Sequence, residues 1–474
     1  MAGPAFGYFP EPSKCLVVVD PDDVQEAQEL FSDLGVKVVT SHRLLGGHVG
    51  SVEGCSEFVR QKVELWAKCV SCLAEVAAKQ PQDAYAALTR SLAFEWNFLQ
   101  RVVPCCGPSF QPIEDVLVDG FIPKLLGCEF SAEERSLFGL PIKFGGLALA
   151  NPTSTVHSAC SASHQAVSHL SDAILGRGEL DVGSHRSCVR SARLAVRSAH
   201  CKEHVAQFKA TVRNFPEEKQ HVLSRAVDHP IGAWLSVLPS SRNDSSLSPR
   251  EFRDGLAMRY AKPLLQLPSI CDGCGAKFSL DHGLNCANGG NLIQRHNEVR
   301  DVTGQLAALA FPHVTREPVV KESGSGAGEG GGLVCDLAVR GVWNPQTEAL
   351  LDFCFVNTDA QSYASRSVTS VLDSIARAKK TKHRQACFER RADFTPFIVS
   401  TDGVIQREGL HFLKRLAAQL AAKWSKPYSE IMHFVRARLS VATLRATVHC
   451  IRGARRKMAG LHLEDGAALS LLFH

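Results

Sequence analysis

CDGCGAKFSLDHGLNC (residues 271–286), RHNEVRDVTGQLAALAF (295–311) and VCDLAVRGVWNPQTEALLDFCFVNT (334–358) follow one another and decide how the chain is read. The first segment spaces Cys271, Cys274, His282 and Cys286 as C-x2-C-x7-H-x3-C. A C-x2-C turn offers two thiolates from a tight knuckle, which Gly273 and Gly275 permit. A His-x3-Cys pair places its two ligands on one side of a helical turn. Four such ligands close a tetrahedron, so the expected ion is a structural Zn2+, with His313 or Cys335 able to replace one ligand. The second segment is an amphipathic helix whose apolar face is Val299, Val302, Leu306 and Leu309 or Ala310, with Glu298 beside it. The third is a pair of strands around Asn344-Pro345, each carrying an aspartate, Asp336 and Asp352.

Outward from there the pattern continues as alternating elements. Val314–Lys321 reads as a strand, and ESGSGAGEGGG (322–332) lacks the G-x-x-x-x-G-K-[ST] pattern, so it is a linker and not a phosphate cradle. A basic helix about Ser365–Phe388, a strand FTPFIVS (394–400) and helices Glu408–Trp424 and Tyr428–Arg452 complete an α-β-β-β-α-β-α-α order. Basic residues crowd this third of the chain, as in AKKTKHR (378–384) and RGARRKMAG (452–460), which points to nucleic-acid contact.

Upstream, PEPSK (10–14) is turn chemistry and CLVVV (15–19) a buried strand. A helix about Asp22–Leu34, a strand VKVVT (36–40) and the turn LLGGHVG follow. A start in mid-sheet suggests a missing N-terminal part. Val59, Val63, Trp66, Val70, Leu73 and Ala77 step at helical spacing, and Pro81 separates this helix from a second, Ala84–Val103. Cys69 and Cys72 fall inside the helical pattern and read as structural. LPIKFGGLALANP (140–152) reads as a strand or glycine turn. Residues 151–262 are helical without a chemical constellation: His157, His164, His169, His185 and His200 are irregularly spaced. Ser248-Pro249 with Glu251 starts a last helix there.

Length and composition bound the rest. The chain has 474 residues, 45% apolar and 21% charged, enough for about two to four globular domains. Its 17 cysteines have no repeating spacing and no signal peptide precedes them, so a reducing compartment is expected. No apolar run approaches the ~20 residues of a membrane span.

Two stretches carry a family resemblance. GYFPEPSKCLVVV followed by VKVVTSHRLLGGHVGS resembles the end of the palm of a non-LTR retrotransposon reverse transcriptase, with Lys14 in the family's lysine-bearing turn and Leu45-Gly46-Gly47 at its hairpin before the thumb. The "lP…GGLaL" pattern at 140–149 also recurs in that family. From the zinc cluster onward the chain resembles the C-terminal region of those retrotransposon proteins that carry a restriction-like endonuclease, in which a CCHC knuckle precedes an RHN-type motif and the acids of a PD…(D/E)xK signature. The resemblance implies a multidomain α+β chain: a palm remnant (1–50), a helical thumb (51–107), a mostly helical connector (108–262), a zinc knuckle (263–292) and a restriction-endonuclease-like α/β core with C-terminal helices (293–474).

It also implies a function. Asp336 and Asp352, with Glu298 completing the shell, would bind catalytic Mg2+, and Lys380 would assist the attacking water. Arg295, His296, Lys379, Lys382 and Arg384 would contact nucleic acid. The partners would be DNA and element RNA, without a membrane, and the working compartment the nucleus. The polymerase's own xxDD acids would lie upstream and are not in this chain; Asp20-Pro21-Asp22-Asp23 follows the wrong strand. The chain departs from the family at Cys335, where a proline is expected, and at Cys354, where the signature has lysine. The lysine would then come from the next helix, from Lys379, Lys380 or Lys382, and Lys380 with His383 has a spacing like the family's Lys-x-x-Tyr. The competing reading is a zinc-dependent nucleic-acid-binding protein without catalysis. A third, an unrelated metal enzyme, would show several zinc ions per chain.

Overall fold

The computed structural model describes residues 14–104, 106–321, 332–363 and 366–456, together with Gly7 and Glu11. Most of the PEPSK turn, nearly all of the glycine-rich stretch and the end of RGARRKMAG lie outside the described residues. The fold is mixed α+β and mostly helical. The chain forms two compact units, Met1–Asp228 with Leu238–Arg253, and His229–Val237 with Asp254–His474.

The first unit begins with β1 (Leu16–Val18), α1 (Val24–Leu30) and β2 (Lys37–Val39), with β1 parallel to β2. The hairpin β3 (Ser41–Leu44) and β4 (Gly47–Gly50) turns at Leu45 and Gly46, both at positive φ, which suits the strands' right-handed twist. The helices are α2 (Val52–Lys79), α3 (Pro81–Ala87), α4 (Ala93–Val102), α5 (Gln111–Val116), α6 (Ile122–Leu126), α7 (Ala132–Gly139), α8 (Pro152–Ile174), α9 (Val182–Val212) and α10 (Glu217–Asp228). In α2 the buried face is Val59, Val63, Trp66, Val70, Ala74 and Ala77, so Ala74 takes the place expected of Leu73. The expected second helix is α3 and α4 joined through a π-helical turn at Leu88–Leu92. LPIKFGGLALANP is a turn: a Cβ on Gly146 would lie 1.9 Å from the Leu140 carbonyl oxygen, so only glycine fits.

Helix α11 (Pro249–Arg259) opens with Ser248 and Glu251 bonding each other's backbone N–H, as the sequence suggested. The second unit then runs α12 (Leu280–Asn285), α13 (Asn291–Ala310), β5 (Val314–Arg316), β6 (Val319–Lys321), β7 (Leu333–Val334), β8 (Leu337–Arg340), β9 (Glu348–Val356), α14 (Val368–Glu389), β10 (Asp393–Ser400), α15 (Arg407–Trp424) and α16 (Tyr428–Arg452). Two expected strands are each broken. Val314–Lys321 splits because Glu317 sits at φ 50 and Pro318 has no N–H to give; Val334–Trp343 splits at Cys335-Asp336.

The main sheet has the order β10-β9-β8-β5, with β10 parallel to β9 and the other pairs antiparallel. β9 is central and reads nearly all apolar because both its faces are covered. Ala349, Leu351 and Phe353 point into a core shared with Val299, Val302 and Leu306 of α13 and with Phe412, Leu416 and Val435 of α15 and α16. Val356, with half-buried Cys354, packs against Val368, Val371, Leu372 and Ala376 of α14 on the other side. Each such fully buried side chain contributes about 1.5–3 kcal/mol relative to exposure. That packing holds rigid the strand that carries Asp352.

Candidate functional site

The β8–β9 register pairs Leu337 with Leu351 and Arg340 with Glu348. Asp336 lies just before β8, where the regular pairing ends: its N–H bonds the Leu351 carbonyl at 3.0 Å and its carboxyl meets that of Asp352. Two carboxylates this close repel when both are ionised, so each acid needs a compensating partner.

The partners come from the two flanking helices. From α13, His296 Nε2 lies 3.2 Å from Asp336 Oδ2, and the Phe353 N–H donates to that oxygen at 2.5 Å. From α14, Lys379 Nζ lies 2.5 Å from Asp352 Oδ2 and His383 Nε2 lies 3.2 Å from it. His383 is 2% exposed, stacks on Phe394 at 4.6 Å, and its Nδ1 is 3.5 Å from Cys335 Sγ.

These surroundings drive the two acids apart. Burial raises Asp336, but the His296 hydrogen bond and charge, the Phe353 N–H and the Asp352 carboxyl outweigh it and hold Asp336 below the usual range. For Asp352 burial wins over Lys379, and with the Asp336 charge adding to it the pKa is raised. Burial alone would lower His296, yet Asp336 leaves it above its ordinary value. His383 goes down, through burial first and then Lys382 and Lys379. The Cys335 thiol is pushed up to about 12, chiefly by burial and then by the charge of Asp352. It is therefore no nucleophile at neutral pH.

The expected site residues redistribute. The lysine at the acid pair is Lys379; Lys380, a helical step of about 100° away, pairs instead with Glu408 at 2.8 Å. From α13 the residue that reaches Asp336 is His296. Glu298 lies about 200° farther round that helix, where it bears on the Cys450 thiol of α16. His296 and Lys379, expected at nucleic acid, are thus bound to the acids. Arg295 is also unavailable to phosphate: it is 5% exposed, donates to the Leu284 carbonyl at 3.2 Å and lies over the Phe355 ring at 5.4 Å. Lys382 and Arg384 are exposed on α14.

The cysteine cluster lies in the same unit. Cys271, Cys274, His282 and Cys286 bring one ligand atom each to within 4.8 Å of one another and can hold a metal ion. His313 and Cys335 do not join the cluster, which is the one such group among the described residues. Cys69 and Cys72 stay on α2 as free thiols. Burial raises Cys271, but N–H groups of Gly273 and Cys274 and the side chains of His282 and Cys274 bring it down to about 6. The knuckle is closed by the Cys271 N–H on the Ala276 carbonyl at 2.8 Å and the Gly275 N–H on the Cys271 carbonyl at 2.9 Å. Gly275 sits at φ +75, and a Cβ on Gly273 would come within 2.6 Å of Arg455. Arg455 braces the module: its N–H bonds Asp272 at 2.8 Å, its guanidinium bonds the Gly283 and Cys450 carbonyls and stacks over Phe278 at 5.2 Å. Asp281 receives Asn357 Nδ2 at 2.7 Å, tying α12 to the end of β9.

No protein-family model matches the chain and no curated protein matches it. Among the described residues no helix is long and apolar enough to cross a membrane.

Proposed function

We propose that the second unit is a metal-dependent DNA endonuclease of the restriction-endonuclease-like class, part of a non-LTR retrotransposon protein that nicks target DNA in the nucleus so that element RNA can be copied there. What carries the reading is one observation: the carboxyl of Asp336, just before β8, meets that of Asp352 on the neighbouring β9, with a lysine ammonium 2.5 Å from Asp352. Within the main sheet the order α13-β5-β8-β9-α14-β10 and the mixed strand directions support that reading. The sequence before this unit would be the palm remnant and thumb of the same protein.

Two converging carboxylates are the oxygen donors Mg2+ prefers, so Asp336 and Asp352 would hold it. Bound there, the cation supplies polarisation of the scissile phosphate and acidification of a water. His296 and the Phe353 N–H fix Asp336 by one oxygen, and His383 does the same for Asp352. Lys379 brings a positive charge to the place where charge develops on the phosphate, the role the signature lysine at position 354 would have had. Lys382 and Arg384, exposed on the same helix, would meet the DNA backbone.

The cysteine cluster fits zinc. Thiolates about 2.3 Å from a tetrahedral centre stand about 3.8 Å from one another. The sulfurs of Cys271 and Cys286 are 3.9 Å apart, those of Cys286 and Cys274 4.0 Å, and Cys274 Sγ is 3.4 Å from His282 Nε2. All four positions are protein donors, so this ion would be structural.

The test is nicking of supercoiled plasmid with Mg2+. Wild type should convert it to the open circle, and Asp336→Asn or Asp352→Asn should abolish conversion while DNA binding stays nearly intact, since Asn keeps the shape and loses the charge. Wild-type protein that leaves the plasmid closed with every divalent cation tried overturns the nuclease and leaves a zinc-dependent binding module.

A further inference from the structure

Helix α9, in the first unit, carries six basic residues against one acid, Glu203. Arg186, Arg190, Arg193 and Arg197 fall at intervals of four, three and four, which places them within about 60° of one face over about 16 Å of helix. All four are exposed. Four like charges at helical neighbour spacing repel one another, so the stripe costs stability unless an anion uses it.

Beside the stripe runs a groove of about 390 Å³ between α8, α9 and the 140–149 turn. Its floor is Ala162, Ala166, Val196 and Phe144, and its rim is Lys143, Arg193, Arg197 and His200; no carboxylate lines it. His204 continues the line of rings, 5.4 Å from Phe144 and 5.9 Å from His200. Burial, with His200, holds His204 below its ordinary pKa, which disfavours the charged ring.

We infer that this face binds a single-stranded polynucleotide, its phosphates along the Arg186–Arg197 stripe and a base in the apolar groove beside it. The combination of a cationic track and ring surfaces is what a single strand requires. A duplex has the phosphates but no free base to fill the groove, and an acidic peptide has the charge but no planar ring. The inference is independent of the nuclease reading, which concerns the other unit.

The experiment is fluorescence anisotropy of the full chain with a labelled oligo-dT over a salt series. Each phosphate contact to a single strand contributes about −0.7 to the slope of log K against log[salt], which at 0.1 M salt is about fivefold in affinity. Arg190→Gln with Arg197→Gln should therefore weaken binding about 25-fold and shrink the slope by about 1.4. Arg186→Gln with Arg193→Gln should do the same. The unlabelled oligonucleotide should compete, and polyglutamate of equal charge should not. Wild-type affinity and slope in both double variants would overturn the site. Equal competition by polyglutamate would overturn the polynucleotide, and an equal loss for a hairpin duplex would overturn the single strand.

Discussion

Replacing Lys379 by Met removes the cation that holds Asp352. The pair is 2.5 Å apart, with side chains 24% and 13% exposed, so it is mostly out of solvent. Breaking one side of a buried pair costs about 3–5 kcal/mol. Residual solvent and the remaining His383 partner bring the expected cost to about 2 kcal/mol, or about 30-fold in an opening equilibrium. The cost depends on pH with a definite sign. Asp352 already has a raised pKa from burial, which Lys379 opposes; without Lys379 it rises further. The folded variant then binds the proton more tightly than the unfolded chain, so the penalty is full above the folded pKa and fades as pH falls through it. Hydrogen exchange of the β9 and β10 amides, corrected for intrinsic rate and measured without divalent cations, should be about 30-fold faster in Lys379→Met than in wild type at pH 8, with the ratio shrinking as the pH is lowered through the titration of the carboxyl. A ratio that stays constant down to the acid limit of the fold, or no acceleration, would refute the pairing.

Three further outcomes are expected. Cys271→Ser and His282→Ala should each lose the bound metal, because a closed site binds through all its ligands; unchanged metal content would remove the assignment. Arg295→Met strands the Leu284 carbonyl and should cost about 1–3 kcal/mol, read as metal release at a lower chelator concentration; wild-type release would break the tie between α13 and the knuckle. Cys354→Lys restores the signature lysine next to a face that Lys379 already serves, so nicking should fall, and a rise would show Lys379 to be a poor substitute.

How much of this was legible in the sequence turns on particular residues. Two strands around Asn344-Pro345 bring Asp336 and Asp352 to neighbouring positions, and the structure pairs the strands up to Leu337 and Leu351, one residue short of the acids. The helix that follows is legible too, but the three candidate lysines Lys379, Lys380 and Lys382 point different ways from it. Leu372, Ala376, Lys379, His383 and Cys387 step by four, three, four and four along the buried face of α14. A lysine on an apolar stripe needs a buried partner, and that criterion selects Lys379 over Lys380. The Lys-x-x-Tyr spacing drew attention one residue too far. The break at Glu317-Pro318 has a signal in Pro318, which cannot donate to a ladder, whereas the one at Cys335-Asp336 has none, because Val-rich flanks look the same whether a strand continues or steps. Arg295 was misplaced for a different reason. An arginine at a helix start looks solvated until the Leu284 carbonyl of the preceding helix and the Phe355 ring of β9 enclose it.

That enclosure gives the cysteine cluster a part in the acid site. Arg295 and His296 are adjacent on α13: the first holds the carbonyl of Leu284, two residues before the ligand Cys286, and the second holds Asp336. Asp281, one residue before the ligand His282, is tied to Asn357 just past the end of the strand that carries Asp352. The knuckle thus grips both carriers of the acid pair, the helix through a buried guanidinium and the strand through an amide. Rotamers this constrained keep a carboxylate within the few tenths of an ångström that a cation site tolerates. Loss of metal from the knuckle should therefore cost nicking before it costs DNA binding: the phosphate contacts proposed for Lys382 and Arg384 would sit on α14, which neither tie touches. Chelation that removes both activities in parallel would mean that the knuckle itself is the main DNA contact.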